Sequence, residues 1–197
     1  MCEKKIAPFD MKNIPYVVDV VVPMWSPPVG DSEFRRFDVE YIVRSSIFEN
    51  DYRFQLDECG RFCAATFFAE KGDLSSVDKW YGENIDRFPE ELRKATRMSR
   101  EYIEWMDGRT FGMMEDDDIK LSLFVSRKKG CGSKLLDSVC EKLRADGKKN
   151  LYLWTDCDCD WQWYLHHGFS MVSEAVYDAF SDEIYGNYRT FIFRKKI

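Results

Sequence analysis

The sequence predicts an α/β (α+β) fold: a mixed central sheet flanked by helices, with a helical insertion at about residues 73–118, before the fourth strand. Three observations carry this prediction. Apolar, β-branched runs of strand length recur along the chain, some joined by hairpin turns and some by amphipathic helices, and a sheet built with both kinds of connection is mixed. The stretch between them is instead rich in helix formers. Finally, 197 residues with 45% hydrophobic and 32% charged side chains suffice for the core of one globular domain, 1–197.

In chain order, Tyr16 to Val22 is apolar and β-branched and is closed by Pro23, so it reads as the first strand, with Pro27-Pro28-Val29-Gly30 as a turn. From Asp31 the spacing of Phe34, Phe37, Val39, Tyr41, Ile42 and Ile47 predicts a helix, with Asp31 or Ser32 as its cap. Tyr52–Leu56 and Arg61–Ala69 form a hairpin across Asp57-Glu58-Cys59-Gly60. The insertion is interrupted at Pro89 and Gly108; Pro89-Glu90-Glu91-Leu92 opens a helix, and Leu92, Ala95, Tyr102, Ile103 and Met106 supply its apolar stripe. The acidic run Glu115 to Asp118 reads as a solvated loop.

The last third is the most regular. Lys120–Ser126 is a strand, Lys128–Ser133 a loop, and Lys134–Asp146 a helix with Leu135, Leu136, Val139, Cys140 and Leu143 on one face and Gly147 as its stop. Asn150–Thr155 is a buried-type strand and Trp161–His167 a short helix ended by Gly168. Phe169–Tyr177 and Tyr188–Phe193 are two further strands.

Composition narrows the function. Asp and Glu number 35 against 29 Lys and Arg, a net charge of −6, which argues against a nucleic-acid binder or a protein held on anionic membranes. No run approaches the ~20 apolar residues that span a bilayer, and Met1-Cys2-Glu3-Lys4-Lys5 lacks the apolar segment of a secretory signal, so a cytoplasmic location is expected. Seven cysteines, an odd number in a chain of this length, point to free thiols and no disulfide.

The sharpest feature is Arg127-Lys128-Lys129-Gly130-Cys131-Gly132-Ser133-Lys134, between an apolar strand and an amphipathic helix. Two glycines allow a tight turn, and the unpaired amides of a helix start favour a bound phosphate. Four cations within eight residues add a local anion preference to an acidic chain. The spacing fits neither a dinucleotide fingerprint nor the phosphate loop of nucleotide hydrolases. It does resemble the acetyl-coenzyme A signature of the GNAT N-acetyltransferase superfamily: Arg or Gln, two residues, Gly, one residue, then Gly or Ala. About thirty residues on, Tyr164-Leu165-His166-His167-Gly168-Phe169 resembles the family's Tyr-x-x-x-Gly-Phe, with the apolar strand Leu151–Trp154 between the two motifs. The resemblance covers Lys120 to about Val172.

That resemblance implies an N-acetyltransferase using acetyl-coenzyme A and an amine acceptor, with no metal. Arg127, Lys128, Lys129, Gly130, Cys131, Gly132, Ser133 and Lys134 would hold the pyrophosphate, and main-chain groups of Leu123, Phe124 and Val125 would pair with the pantetheine arm. A strand amide near Phe124 would stabilise the oxyanion, and Tyr164 would protonate the leaving thiolate. Cys157 and Asp160 stand where the family often has Asn and Ala touching the arm. The insertion around Trp80 to Gly108 and the first helix would form the acceptor side, its acidic character suiting a cationic amine. Partners are therefore acetyl-coenzyme A and an acceptor, with no nucleic acid or membrane; a homodimer is left open. The competing reading is a non-catalytic acyl-coenzyme A sensor or partner-binding module. A zinc site at Cys157, Cys159, His166 and His167 is disfavoured by spacing, Cys131 is more simply a small residue than a nucleophile, and Trp154, Trp161 and Trp163 divide between acceptor pocket and core.

Overall fold

The computed structural model describes residues 4–182 and 186–197. Its centre is a seven-stranded sheet in the order β1 (Lys4–Pro8), β2 (Arg53–Glu58), β3 (Arg61–Ala69), β4 (Ile119–Ser126), β5 (Asn150–Asp156), β7 (Arg189–Lys196), β6 (Ser170–Val176). Every neighbouring pair is antiparallel except β4 and β5, which are parallel and joined through α5 (Cys131–Ala145). Helices α1 (Ile14–Trp25), α2 (Ser32–Ser45) and α4 (Glu90–Met113) cover one face, α5 and the short α6 (Gln162–His166) the other. The remaining helix, α3 (Val77–Asn84), precedes α4, so the helical insertion before the fourth strand is present.

The first predicted strand is wrong: Tyr16 to Val22 lies inside α1, and β1, five residues with two lysines, carried no signal of its own. Burial decides the conformation. Ile14, Val17, Val18 and Val21 are buried at helical spacing while Tyr16 and Asp19 face solvent, a period that a half-buried strand cannot present. β-Branched propensity is worth a fraction of a kcal/mol per residue, less than the burial of one valine. Pro15 is harmless in the first turn, where its missing donor has no partner to lose. Gly108 does not interrupt α4 either; a Cβ there would meet nothing, so the helix passes through at the modest cost of a solvent-facing glycine.

The β2–β3 hairpin closes through Cys59 and Gly60, both at positive φ (55° and 71°), the two-residue turn whose twist matches its strands. Cys59 is disulfide-bonded, which corrects the expectation of free thiols throughout. An exposed turn leaves that thiol open to a partner, whereas Cys63, Cys131, Cys140, Cys157 and Cys159 are free.

Two cores flank the sheet. Leu56, Ala64, Phe68, Leu121, Leu151 and Phe193 pack against Leu135, Leu136, Val139 and Leu143 of α5. On the other face Ala65, Phe67, Leu123 and Val125 meet Val17, Val18 and Val21 of α1 and Val39 and Val43 of α2. That Leu121 and Leu123 face opposite cores follows from a bulge: Phe67 pairs with Leu123 and Phe68 with Leu121, leaving Ser122 as the extra residue.

Candidate functional site

The sheet opens next to that bulge. β4 and β5 pair at only two positions, Ile119 with Leu151 and Lys120 with Tyr152, and then part. On its other edge β4 stays paired with β3 as far as Ser126. The amide of Arg127 donates to the carbonyl of Cys63 (2.8 Å), and in an antiparallel pair such groups alternate, so Val125 and Leu123 also spend their main-chain groups on β3. Those of Phe124 and Ser126 point into the opening. Of the three residues expected to pair with an extended ligand, Phe124 therefore offers a free main-chain edge, while Leu123 and Val125 are buried anchors of the strand.

The glycine loop sits at the mouth of this opening. Gly130 adopts φ +80° and α5 begins at Cys131, three residues earlier than predicted, so Gly132 and Ser133 belong to the first helical turn. No side chain caps α5, in contrast to α2, where Asp31 accepts from the Phe34 amide at 2.9 Å. An uncapped start leaves amide donors and the positive end of the helix dipole for an anion. Gly132 is favoured by proximity: a Cβ there would stand 2.9 Å from Phe124 Cζ and 3.2 Å from Ser126 Cβ, so any side chain would push Phe124 or Ser126 aside where the helix start lies against β4. Arg127, Lys128, Lys129, Gly130 and Lys134 are exposed; Lys128 pairs with Glu58, and Lys129 and Lys134 form no ion pair among the described residues. Cys131 is fully buried beside Cys63 and cannot present its sulfur to a ligand in the loop.

Tyr164 reaches the same region from α6. Its ring packs against Phe169 and Phe193 (centroids 5.5 and 5.9 Å) and stands edge-on to Trp163 at 5.3 Å. Trp163 in turn lies 5.3 Å from Phe124 and is stacked on His167, whose Nδ1 is 2.8 Å from the Trp163 carbonyl. Phe124 is thus held between Gly132 and Trp163, which gives Trp163 to the β4 side of the opening and not to an acceptor pocket. Burial pushes the Tyr164 phenol well above its ordinary value, with Cys159, Asp160 and Asp156 adding to the effect, so the group keeps its proton at neutral pH. Asp160 is exposed; its carbonyl accepts the Trp163 amide at 3.2 Å at the entry to α6.

Two groups of residues lay outside the sequence reading. At the root of the opening, Lys120, 1% exposed, pairs with Asp107 of α4 at 2.5 Å between the rings of Phe48 and Phe111, and the indole of Trp154 donates to the same carboxylate at 2.6 Å. At the end of β5, Asp156 is 8% exposed and accepts from Tyr102 Oη at 3.0 Å. Glu115 to Asp118, expected as a solvated loop, close the opposite end of β4, and Asp118 is buried, accepting from the Glu115 amide (3.0 Å) and from Asn150 (2.6 Å). Among the described residues no three His, Cys, Asp or Glu side chains converge to hold a metal ion.

No protein-family model and no curated protein matches the sequence. Solved structures do match in fold. The C-terminal condensation domain of Ebony, solved with beta-alanyl-dopamine, aligns over all of both chains with a TM-score of 0.68 at 11% identity. The ribosomal-protein-S18-alanine N-acetyltransferase from Escherichia coli aligns over 99% of this chain and 94% of its own, with a TM-score of 0.56 at 13% identity. A GCN5-related N-acetyltransferase from Kribbella flavida aligns over 98% of each chain, again at 0.56, with 9% identity. Splayed parallel strands, an uncapped glycine-led helix start and these likenesses agree: the chain has the fold of the GNAT N-acetyltransferases.

Proposed function

We propose that the protein transfers an acetyl group from acetyl-coenzyme A to an amine acceptor by direct attack on the thioester. The observation that carries this is the juxtaposition at β4: an uncapped helix start at Cys131 lies against a strand whose far edge is open from Leu121 onward. Amides at the start of α5 would bind the pyrophosphate, with Lys129 and Lys134 adding charge. The pantetheine arm would continue β4 as an added strand, bonding to the main chain of Phe124. When bound, the coenzyme supplies the activated acyl carbon, and the Phe124 amide would donate to the oxygen that becomes negative as the amine adds. The C–N bond forms as the C–S bond breaks; the sulfur takes the Tyr164 proton, and the amine's proton leaves through solvent. The phenol carries its proton at neutral pH and so has one to give the thiolate.

Thermal unfolding with excess acetyl-coenzyme A tests the reading first. Ligand at ~100 times its dissociation constant adds about 2.7 kcal/mol, or about 5–11 °C in Tm for a chain of this length. No shift would refute the coenzyme site. Tyr164→Phe should then keep the shift and lose turnover at least tenfold. Full activity would remove Tyr164 as the acid, and binding without turnover in the unaltered protein would favour a sensor.

A further inference from the structure

The opening has a second wall, on β5, that the chemistry above leaves unused. Asp156 ends β5, on the stretch that borders the gap beyond the last pair, Lys120–Tyr152. Its side chain faces the α4 side of the sheet with Tyr152 and Trp154, opposite the face that carries α5 and α6. The donors it meets are neutral: Tyr102 Oη at 3.0 Å and the Asp158 amide at 3.2 Å, with the Tyr188 hydroxyl and the Cys159 thiol close by. It takes part in no ion pair with a Lys or Arg among the described residues, although it is more than nine-tenths buried.

Around this carboxylate the surface is aromatic. Trp154, Tyr177, Phe180 and Tyr188 have centroids 5.6, 5.0, 5.1 and 5.9 Å from that of Tyr102, and Trp105 lies 5.0 Å from Tyr177. All but Tyr102 are half-buried. The nearest chain segment adds Asp158 and Asp160, both exposed and negative. A buried anion without an ion-pair partner among the described residues, set among half-buried aromatic rings, is complementary to an organic ammonium: the nitrogen meets the carboxylate while its stem covers the rings. A cation on this wall, Arg109, lies over Trp105 at 4.6 Å with its guanidinium engaged by Thr190 (3.1 Å) and Ser173 (2.9 Å), and the three carboxylates outnumber it.

We propose that this wall is the acceptor site, that Asp156 draws in the acceptor as its ammonium form with Tyr102 and Tyr188 holding the carboxylate in place, that the ammonium gives up a proton to solvent before its nitrogen attacks, and that the acceptors are primary amines on an apolar or aromatic stem. The inference rests on the acetyl-transfer reading and deepens it by naming the acceptor class.

The test measures thiol release from acetyl-coenzyme A with 2-phenylethylamine and hexylamine as cationic probes and phenylalanine and 6-aminohexanoate as their carboxylated counterparts. Each protein is also checked for its unfolding shift with acetyl-coenzyme A alone. The wild type should show a KM at least tenfold lower for the cationic probes than for their counterparts. Asp156→Asn, which preserves shape, should raise that KM tenfold or more while keeping the acetyl-coenzyme A shift, and Tyr102→Phe should raise it less. A variant KM equal to wild type, equal use of carboxylated acceptors, or no reaction with either cationic probe despite a normal coenzyme shift overturns this inference alone. Absence of the shift in the wild type overturns the acetyl-transfer reading and the inference with it. Should Asp156→Asn fail to fold, the charge preference of the wild type and the Tyr102→Phe ratio still decide.

Discussion

Replacing Asp107 by Asn isolates the ammonium of Lys120. That lysine is 1% exposed and set between the rings of Phe48 and Phe111, so without Asp107 it has no anion to offset burial. Burial already pulls its pKa down, with Asp107 opposing; without Asp107 the folded protein holds the amine neutral. Folding must then remove a proton from a group whose ordinary pKa is about 10.4. At pH 7 this costs about 4.6 kcal/mol and at pH 9 about 1.9, because each pH unit is worth 1.36. Urea unfolding at the two pH values should show the Asp107→Asn deficit shrinking by about 1.4 kcal/mol per pH unit, and Tm at pH 7 should fall by about 9–18 °C. Lys120→Met behaves differently. Asp107 retains the Trp154 donor and has a side chain 17% exposed, so its loss is smaller and flat between pH 7 and 9. A deficit for Asp107→Asn that does not change with pH would show that Lys120 stays charged and would refute the reasoning.

Other expectations concern the helices and the glycine loop. Asp38, buried between α2 and α4 with Oδ1 lacking a hydrogen-bond partner among the described residues, has its carboxyl raised by burial. The folded state therefore binds this proton more tightly than the unfolded chain, so stability present below the ordinary carboxylate range is lost as pH rises through the folded pKa. Asp38→Asn should unfold later than wild type at neutral pH and lose that advantage near about pH 4, read by thermal melts across the range. Removing the α2 cap with Asp31→Ala should cost about 1 kcal/mol, or about 2–4 °C in Tm. Gly132→Val should cost about 1–3 kcal/mol by overpacking against Phe124 and Ser126, and weaken acetyl-coenzyme A binding in titration calorimetry. Gly130→Ala, whose Cβ would meet nothing, should cost about 1–2 kcal/mol through φ +80° alone. If Gly130→Ala weakened the coenzyme as much as Gly132→Val, close approach would not be what Gly132 supplies.

The parts of the chain that were legible in sequence are those where local pattern and tertiary role coincide. α5 shows an apolar stripe at Leu135, Leu136, Val139, Cys140 and Leu143, and all five are buried. The glycine loop advertises itself because positive φ and close packing can be met by few residues. α1 was misread because its valines carry strand propensity, and the deciding fact, which of them face the sheet, is tertiary. The acceptor wall was illegible for a related reason. Tyr102 looks like one more apolar position on α4, and only folding brings its hydroxyl to Asp156, 54 positions away. Nothing in a linear pattern reports that a buried aspartate lacks a cation.

The weakest junction of the sheet is also its most useful one. With only two paired positions, β4 and β5 cannot be held together by their main chains, and the bulge at Ser122 turns the strand away from its neighbour. What ties them is side-chain chemistry on one face: Lys120 from β4 and Trp154 from β5 both end on Asp107 of α4. A parallel pair that zipped up fully would be more stable and would leave no edge for a ligand. The buried ion pair therefore serves to close the root of the opening while its mouth stays parted, which is why the same three residues should govern both unfolding and the width of the gap. If so, Asp107→Asn at pH 9, where most of its stability has returned, should still alter the affinity for acetyl-coenzyme A. An unchanged affinity there would mean that the Ser122 bulge alone sets the splay.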